Sequence, residues 1–479
     1  MDTRGIILEG EEITSGPVVP VLNKYSNDIF CRVATATTEH IEQAVHTAVT
    51  AREPLRKMSS WQRSEILSRA AGILKKRTRS FTQLIITEAG KSHKFALAEV
   101  KRAVENLQIC AEEAKRIHGE TVPVDASPGG AGKRGYFLRY PVGVVLAISP
   151  FNFPLNLAVH KIGPAIAAGC PVIFKPSTLT PVTGIELSRL LLEAGLPASA
   201  LQTMIGSGPG VGDPLVRRKE IAKISFTGSR AVGEQIIRRG GLKKVTMELG
   251  SNSGMVVDEE VPDFQRAVRR GVVGAFAYQG QVCISVQRIY VHQAVFSSFQ
   301  KQFVGQTEKL KVGDPFLRGT DIGPMISSRE AERVKGWIDE AVKEGARILT
   351  GGERHNHFLL PTVLTDVSEE MRVMKEEVFG PVVSLVRVKD WEEGIRRCDG
   401  GEYGLQAGVF TRDLLRAQQA VDRINAGGII INDIPTFRVD QMPYGGNKGS
   451  GLGREGARFA IEEMSNIRMV VVDLGEEKK

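Results

Sequence analysis

A doubly wound α/β fold is predicted by three observations. From Val142 onward, short apolar strands alternate with helical patterns: Val142–Ile148, a helix near Leu155–Ala168, Pro171–Phe174, a helix over Gly184–Ala194, then Leu201–Ile205. Such alternation describes a parallel sheet with helices on its faces. Each strand runs into a loop rich in glycine, proline and polar residues, and ligands gather at the carboxyl ends of strands in such sheets. The chain has 479 residues, of which 42% are hydrophobic, 25% charged and 51 glycine. At about 100–200 residues per domain this is a soluble chain of two to four domains with many tight turns.

Before the alternating region the pattern is helical. From Thr38 to Ala51 the residues Ile41, Val45, Ala48 and Val49 recur at helical spacing behind threonines that can cap the first turn. A longer pattern runs from Ser60 through Ile66, Ala70 and Leu74 to Gly90, and another from His93 through Val100, Ala103 and Leu107 to Gly119. The two glycines suit the positions just beyond a helix end. Residues 120–140 then become extended, Pro128-Gly-Gly-Ala-Gly132 separating Glu120–Val124 from Arg134–Leu138, as in a hairpin that leaves the domain.

Lys223–Phe226 and Lys244–Leu249 supply further strands. A second α/β unit begins at Gly250, with a helix over Phe264–Tyr278, a loop around Cys283, the strand Arg288–His292 and a helix from Ser327 to Gly345. It continues through Glu376–Pro381 and the strand Gly428–Asn432 to the loop Met442–Lys448. Met469–Val472 has the residues of a short strand but little to pair with, so it is expected to join the hairpin of another subunit. The divisions that follow are 1–119 and 141–249 as one domain, 120–140 as an oligomerisation hairpin, 250–445 as a second domain and 446–479 as a C-terminal segment. The only charge run is the tail Glu476–Lys479.

A net charge of +8 and a pI near 9.2 do not indicate nucleic acid, because Lys and Arg are scattered and aromatics make up only 6% of the chain. The charge fits a mild attraction for anionic ligands. The five cysteines have no close pairs, so neither a disulfide framework nor a zinc site is indicated. No histidine pair has metal-ligand spacing, and no metal is expected. The start of the chain lacks a secretory pattern and no run approaches the ~18 apolar residues of a membrane span. A cytoplasmic protein with no membrane partner is expected.

Five loops carry candidate chemistry. In Gln279-Gly-Gln-Val-Cys-Ile-Ser285, a cysteine between small and polar neighbours is either a nucleophile or a small buried hydrophobe. Pro150-Phe-Asn-Phe-Pro154 follows a strand, and Asn152 can aim its amide at a developing oxyanion or simply make a turn. Lys175-Pro-Ser177 also follows a strand, where a lysine can reach ribose hydroxyls or remain solvated. Phe226-Thr-Gly-Ser-Arg-Ala-Val-Gly233 places two glycines about a helix start, where backbone N–H groups can meet a pyrophosphate. Met247-Glu-Leu-Gly250 ends a strand with Glu248, a general base if it faces the ligand edge.

Together, in this order and at these separations, these segments resemble the aldehyde dehydrogenase superfamily. The resemblance covers nearly the whole chain, to Pro443-Tyr-Gly-Gly446 and Gly453-Arg-Glu-Gly456. It implies a Rossmann-like cofactor domain, an α/β catalytic domain and a small β oligomerisation arm in a homodimer or homotetramer. It implies Cys283 as nucleophile, Asn152 with the Cys283 backbone N–H as oxyanion hole, and Glu248 as the base that activates water. Lys175 and Glu377 would hold ribose hydroxyls, Ser177 and Thr178 would lie beside them, Phe379 would pack near the nicotinamide, and Gly228, Ser229 and Gly233 would border the pyrophosphate.

The sequence departs from the family pattern at Ser251, Phe151 and Thr178, where glycine, tryptophan and glutamate are frequent. Thr178 lacks the charge that would repel a 2′-phosphate, so NADP is admissible beside NAD. The loop Pro435–Gly446 resembles that of lactaldehyde and related small-aldehyde dehydrogenases, and Arg102 resembles an arginine of non-phosphorylating glyceraldehyde-3-phosphate dehydrogenases. Arg102, Arg438 and His160 are therefore expected at a small, hydroxylated or anionic aldehyde, oxidised to its acid. The alternatives are a CoA-acylating relative, which usually lacks the glutamate at position 248, and a catalytically silent protein of the same fold.

Overall fold

The computed structural model describes residues 3–475, so the tail Glu476–Lys479 lies outside the described residues. Two large sheets position everything that follows. The first has eight strands in the order Gly451–Leu452, Lys244–Glu248, Ile221–Thr227, Val144–Ile148, Val172–Lys175, Leu201–Thr203, Ile6–Leu8 and Glu11–Ile13. Its five central strands are parallel. Their register sets Thr227 beside Glu248 and Ile148 beside Lys175, so the loops after four strands leave from one edge. Alternate residues feed two cores: Val145, Ala147, Val172 and Phe174 on one face, Val144, Leu146, Ile148 and Ile173 on the other. This is why these strands read as continuous apolar runs.

The second sheet has seven strands, in the order Arg347–Thr350, Thr362–Thr365, Val382–Val388, Arg288–His292, Gly254–Val257, Gln406–Phe410 and Gly428–Ile431. All neighbours are parallel except the first pair. It too is buried on both faces, Val256 and Tyr290 facing one core and Met255 and Ile289 the other.

Three expectations are corrected. The C-terminal strand, Ser465–Asp473, pairs antiparallel over nine residues with Lys133–Pro141 of its own chain, with Glu120–Val122 on the other side, rather than with another subunit's hairpin. Pairing within the chain costs no association entropy, and the helix Ala457–Glu463 delivers the strand directly. The helical pattern from Ser60 to Gly90 is two helices, Ser60–Lys76 and Thr78–Ala89, broken at Arg77 where ψ is 15°. The next helix, His93–Ala114, stops short of Gly119. The N-terminal strands, among them Val18–Leu22 and Ile29–Ala34, had no counterpart in the sequence reading. No helix among the described residues is long and apolar enough to cross a membrane.

Candidate active site

Cys283 is presented by a strained turn. After the helix Phe264–Phe276, Tyr278 and Gln279 both take left-handed backbone angles, φ 46° and 54°. Such angles cost about 1–3 kcal/mol each in a non-glycine residue and persist only when the surroundings impose them. Here the Tyr278 hydroxyl donates to the Ala89 carbonyl at 2.8 Å, and the Gln279 amide donates to the carbonyls of Gly90 and Pro324 at 3.0 and 2.7 Å. At Gly280, φ is 68° and a Cβ would lie 2.0 Å from the Gly380 carbonyl oxygen, so no side chain fits.

Asn152 reaches the same place from the first sheet. Its loop leads into the buried helix Asn156–Ala168, and Glu99 accepts the N–H groups of Leu155 and Asn156 at 3.0 and 3.2 Å. The Asn152 amide donates to the Gln281 carbonyl at 2.9 Å, two residues before Cys283. A primary amide has two N–H donors, so one remains.

Two cavities meet at the thiol. One, of about 210 Å³, is lined by Phe95, Arg102, Phe153, Arg270, Arg438 and Tyr444 among others; the second, of about 280 Å³, by Phe151, Asn152, Gly228, Ser229, Glu377 and Phe379 among others. Cys283 alone belongs to both linings. Its Sγ lies 3.1 Å from the Tyr444 hydroxyl. Burial pushes the thiol up to about 11, while the Tyr444 hydrogen bond and the Arg438 charge pull the other way.

Glu248 ends its strand buried, and neither carboxylate oxygen has a hydrogen-bond partner. Burial, followed by the charge of Glu455, raises it well above the usual carboxylate range. A buried, unpartnered carboxyl of this kind is poised to take up a proton rather than to stabilise the fold.

The second cavity has features that fit a dinucleotide. Ser229 precedes the helix Arg230–Gly240 without capping it through its side chain, which leaves the first N–H groups available to phosphate oxygens. Gly233 lets that helix approach the sheet, since a Cβ would lie 2.5 Å from Leu249 Cδ2; the Gly228 N–H donates to the Glu248 carbonyl at 3.0 Å. Lys175 is buried with no carboxylate within ion-pair distance among the described residues, and burial brings it down to about 8. Glu377 accepts the Ser251 N–H at 3.0 Å and is pushed up to about 7 by burial. Phe379, at φ 49°, meets Phe151 edge to face with centroids 5.8 Å apart. Of the residues expected at the cofactor, Lys175, Ser177, Thr178 and Gly233 do not line this cavity, Ser177 and Thr178 being half-buried beyond Lys175.

On the other side, Arg102 and Arg438 line the smaller cavity, but both are already engaged. Arg102 donates to Asp440 at 2.6 Å, and Arg438 donates to Glu455 at 3.1 Å. His160 does not reach the cavity wall: it lies behind Arg438, with Nδ1 3.3 Å from that guanidinium and Nε2 2.9 Å from Asp440. Arg270 and Tyr444, also in this wall, were given no role from the sequence. Arg270, held by Asp433 at 2.6 Å, follows the helical spacing of Phe264–Phe276, but nothing in that spacing says which face meets the cavity. Tyr444 belongs to the loop Pro443-Tyr-Gly-Gly446, and only the fold brings its hydroxyl to the sulfur.

A model of the aldehyde dehydrogenase family matches residues 12–470. The chain is 45% identical over 470 residues, 98% of each chain, to the 3-sulfolactaldehyde dehydrogenase of Priestia megaterium (strain ATCC 12872 / QMB1551). Among solved structures it resembles aldehyde dehydrogenase 21 of Physcomitrella patens in complex with the reaction product succinate, with TM-score 0.97, 39% identity and 98% of each chain covered. It also resembles the glyceraldehyde-3-phosphate dehydrogenase GapN of Methanocaldococcus jannaschii DSM 2661 complexed with NADP, with TM-score 0.92, 36% identity, and 96% of this chain and 100% of that one covered. The chain belongs to the aldehyde dehydrogenase family. It is an oxidoreductase, an NAD(P)-dependent aldehyde dehydrogenase.

Proposed function

We propose that the enzyme oxidises a small, hydroxylated or anionic aldehyde to its carboxylic acid through a covalent intermediate on Cys283. The observation that carries this reading is that Cys283 alone is shared by a cavity with three arginines and a cavity suited to a dinucleotide. The Cys283 thiolate adds to the aldehyde carbon, and the free N–H of Asn152 with the Cys283 backbone N–H receives the new oxyanion. Losing one such donor typically costs about 10²–10³ in rate. NAD or NADP, when bound, would supply the hydride acceptor; the hydrogen on the former aldehyde carbon departs with its bonding pair, the oxyanion becomes a carbonyl, and the acyl group stays on the sulfur as a thioester. Lys175 and Glu377 would hold the ribose hydroxyls, Phe379 would pack against the nicotinamide end, and Gly228, Ser229 and Gly233 would admit the pyrophosphate. Glu248 then takes a proton from water, whose oxygen attacks the thioester and releases the acid and the thiol. A glutamate in this place supports water as the acyl acceptor rather than coenzyme A.

Arg102 and Arg438 present guanidinium groups to the far end of the substrate, and His160 orients Arg438 from behind. The relatives support an anionic tail, since one is named for a sulfonated aldehyde and another is bound to a dicarboxylate product. Long apolar aldehydes would strip water from the N–H groups that the arginines do not already give to Asp440, Glu455 and Asp433, without offering them an acceptor, and are expected to be poor substrates. A panel of propanal, hexanal, lactaldehyde, succinate semialdehyde, glyceraldehyde-3-phosphate and a sulfonated aldehyde tests the reading. In Arg438→Ala, KM is expected to rise about tenfold or more for the charged members, as for a lost charged hydrogen bond, and little for propanal. A KM that rose equally across the panel would remove the arginine from substrate recognition, whereas a fall in kcat common to all members would not.

Both cofactors are expected to serve. Thr178 carries no charge against a 2′-phosphate, so Thr178→Glu should move preference toward NAD. A wild-type enzyme restricted to NAD by more than about a thousandfold in kcat/KM, ~4 kcal/mol, would contradict this.

The same reading places the cofactor domain at residues 1–119 and 141–249, the catalytic domain at 250–445, and the arm at 120–140 with the C-terminal segment 446–479. Leu138, Ile467, Met469 and Val471 of the arm sheet are exposed, which supports a homodimer or homotetramer. All five cysteines are free, which supports a reducing compartment such as the cytoplasm.

A further inference from the structure

Burial alone works against the nucleophile, because taking a thiolate out of water favours the neutral thiol. Something in contact with the sulfur has to offset that cost. The group in place is Tyr444. Its hydroxyl oxygen is 3.1 Å from Cys283 Sγ, and its side chain is buried. The ring has little freedom to leave, since its backbone exchanges two hydrogen bonds with Glu455, at 3.0 and 2.6 Å. The Arg438 guanidinium covers the ring face, 3.5 Å from its centroid, and is itself held by Glu455 and His160.

With the sulfur protonated, either partner can donate. Once the proton has left, only the phenol can. We propose that Tyr444 is a catalytic hydrogen-bond donor whose hydroxyl holds Cys283 as an aimed thiolate, with Arg438 on the ring face strengthening that donor. The sulfur's proton departs to water through the open cavity, and Tyr444 keeps its own throughout, so no O–H bond breaks. Burial and the neighbouring sulfur raise the phenol well above its usual range, which keeps it a donor and not a competing anion. The cation on its face acts in the other direction on the bond that matters, making the O–H a stronger donor to a negative sulfur. This makes Arg438 serve two ends of one cavity: the substrate's tail on one side and, through Tyr444, the nucleophile on the other.

The proposal rests on Cys283 being the nucleophile, but its test needs neither aldehyde nor turnover. The rate of Cys283 alkylation by iodoacetamide is followed against pH in wild type and Tyr444→Phe, with Cys283→Ala subtracting the other four cysteines, which are buried. Phenylalanine keeps the ring and removes only the oxygen. In Tyr444→Phe the apparent thiol pKa is expected to rise by about one unit and alkylation near neutral pH to slow about tenfold. The dissociation constant for NADP, read by fluorescence, should stay at the wild-type value, which a general loosening of the site would not allow. Arg438→Lys keeps a cation for Glu455 and loses the planar stack, so it should shift the profile the same way by a smaller amount.

Superimposable alkylation profiles for wild type and Tyr444→Phe would overturn the proposal. So would a shift in Arg438→Lys with none in Tyr444→Phe, because the cation would then act on the sulfur without the hydroxyl. Neither result would touch the assignment of Cys283 as nucleophile, which stands or falls on the turnover of Cys283→Ala.

Discussion

Cys283→Ala is expected to abolish aldehyde oxidation, to below about a hundredth of wild-type turnover, because no other group can form the covalent intermediate. Binding of NAD or NADP should survive nearly unchanged. The cavity that would hold the cofactor is built from the ends of strands in the first sheet together with Glu377 and Phe379, and Cys283 contributes only its rim. Steady-state reduction of cofactor at 340 nm, alongside a binding titration, separates the two. Cys110→Ala and Cys170→Ala serve as controls. Both thiols are buried in the core between sheet and helices and raised by burial, Cys170 to about 11, and neither lines the two cavities that meet at Cys283. A verified pure Cys283→Ala enzyme that kept more than a few per cent of its turnover would remove the nucleophile assignment, and with it the thioester.

How much of this was legible in the sequence depends on whether neighbours along the chain carry the signal. The parallel strands were legible, because burial on both faces writes them as apolar runs such as Val144–Ile148, and Lys175 and Glu248 close two of them while Asn152 stands in the loop after a third. The strands Ile6–Leu8 and Glu11–Ile13 are three residues each, too short to show a period, and Ile6–Leu8 is buried beside Leu201–Thr203, about two hundred residues away. The break at Arg77 left no mark because the apolar stripe continues across it into Phe81 and Ile85. The C-terminal strand was legible as a strand, but its partner was not, since pairing depends on where the chain returns in space. The same holds within the site. Arg102 and Arg438 could be suspected one at a time, yet their engagement by Asp440 and Glu455 is a property of the fold, as is the phenol of Tyr444 against the sulfur.

Glu248→Gln should leave a burst of reduced cofactor followed by a very slow steady state, because the amide keeps the shape of the side chain but cannot take a proton from water. Thiol attack and hydride loss do not need that base, so the burst amplitude should approach one per site. The steady state should fall by about 10²–10⁴, the usual contribution of a positioned general base. The pH dependence has a definite sign. Burial and Glu455 raise Glu248 above the ordinary carboxylate range, so at low pH the group is protonated and cannot act as base. The active carboxylate appears only as pH rises through that raised value, and wild-type kcat should climb along the same limb. In Glu248→Gln the limb disappears, and what remains should follow hydroxide or the thiol alone. Rapid mixing of enzyme, NADP and a good substrate, repeated across pH, reads burst and steady state together. If Glu248→Gln lost the burst along with the turnover, the carboxylate would be acting before hydride transfer, and its place would be beside the thiol and not the thioester.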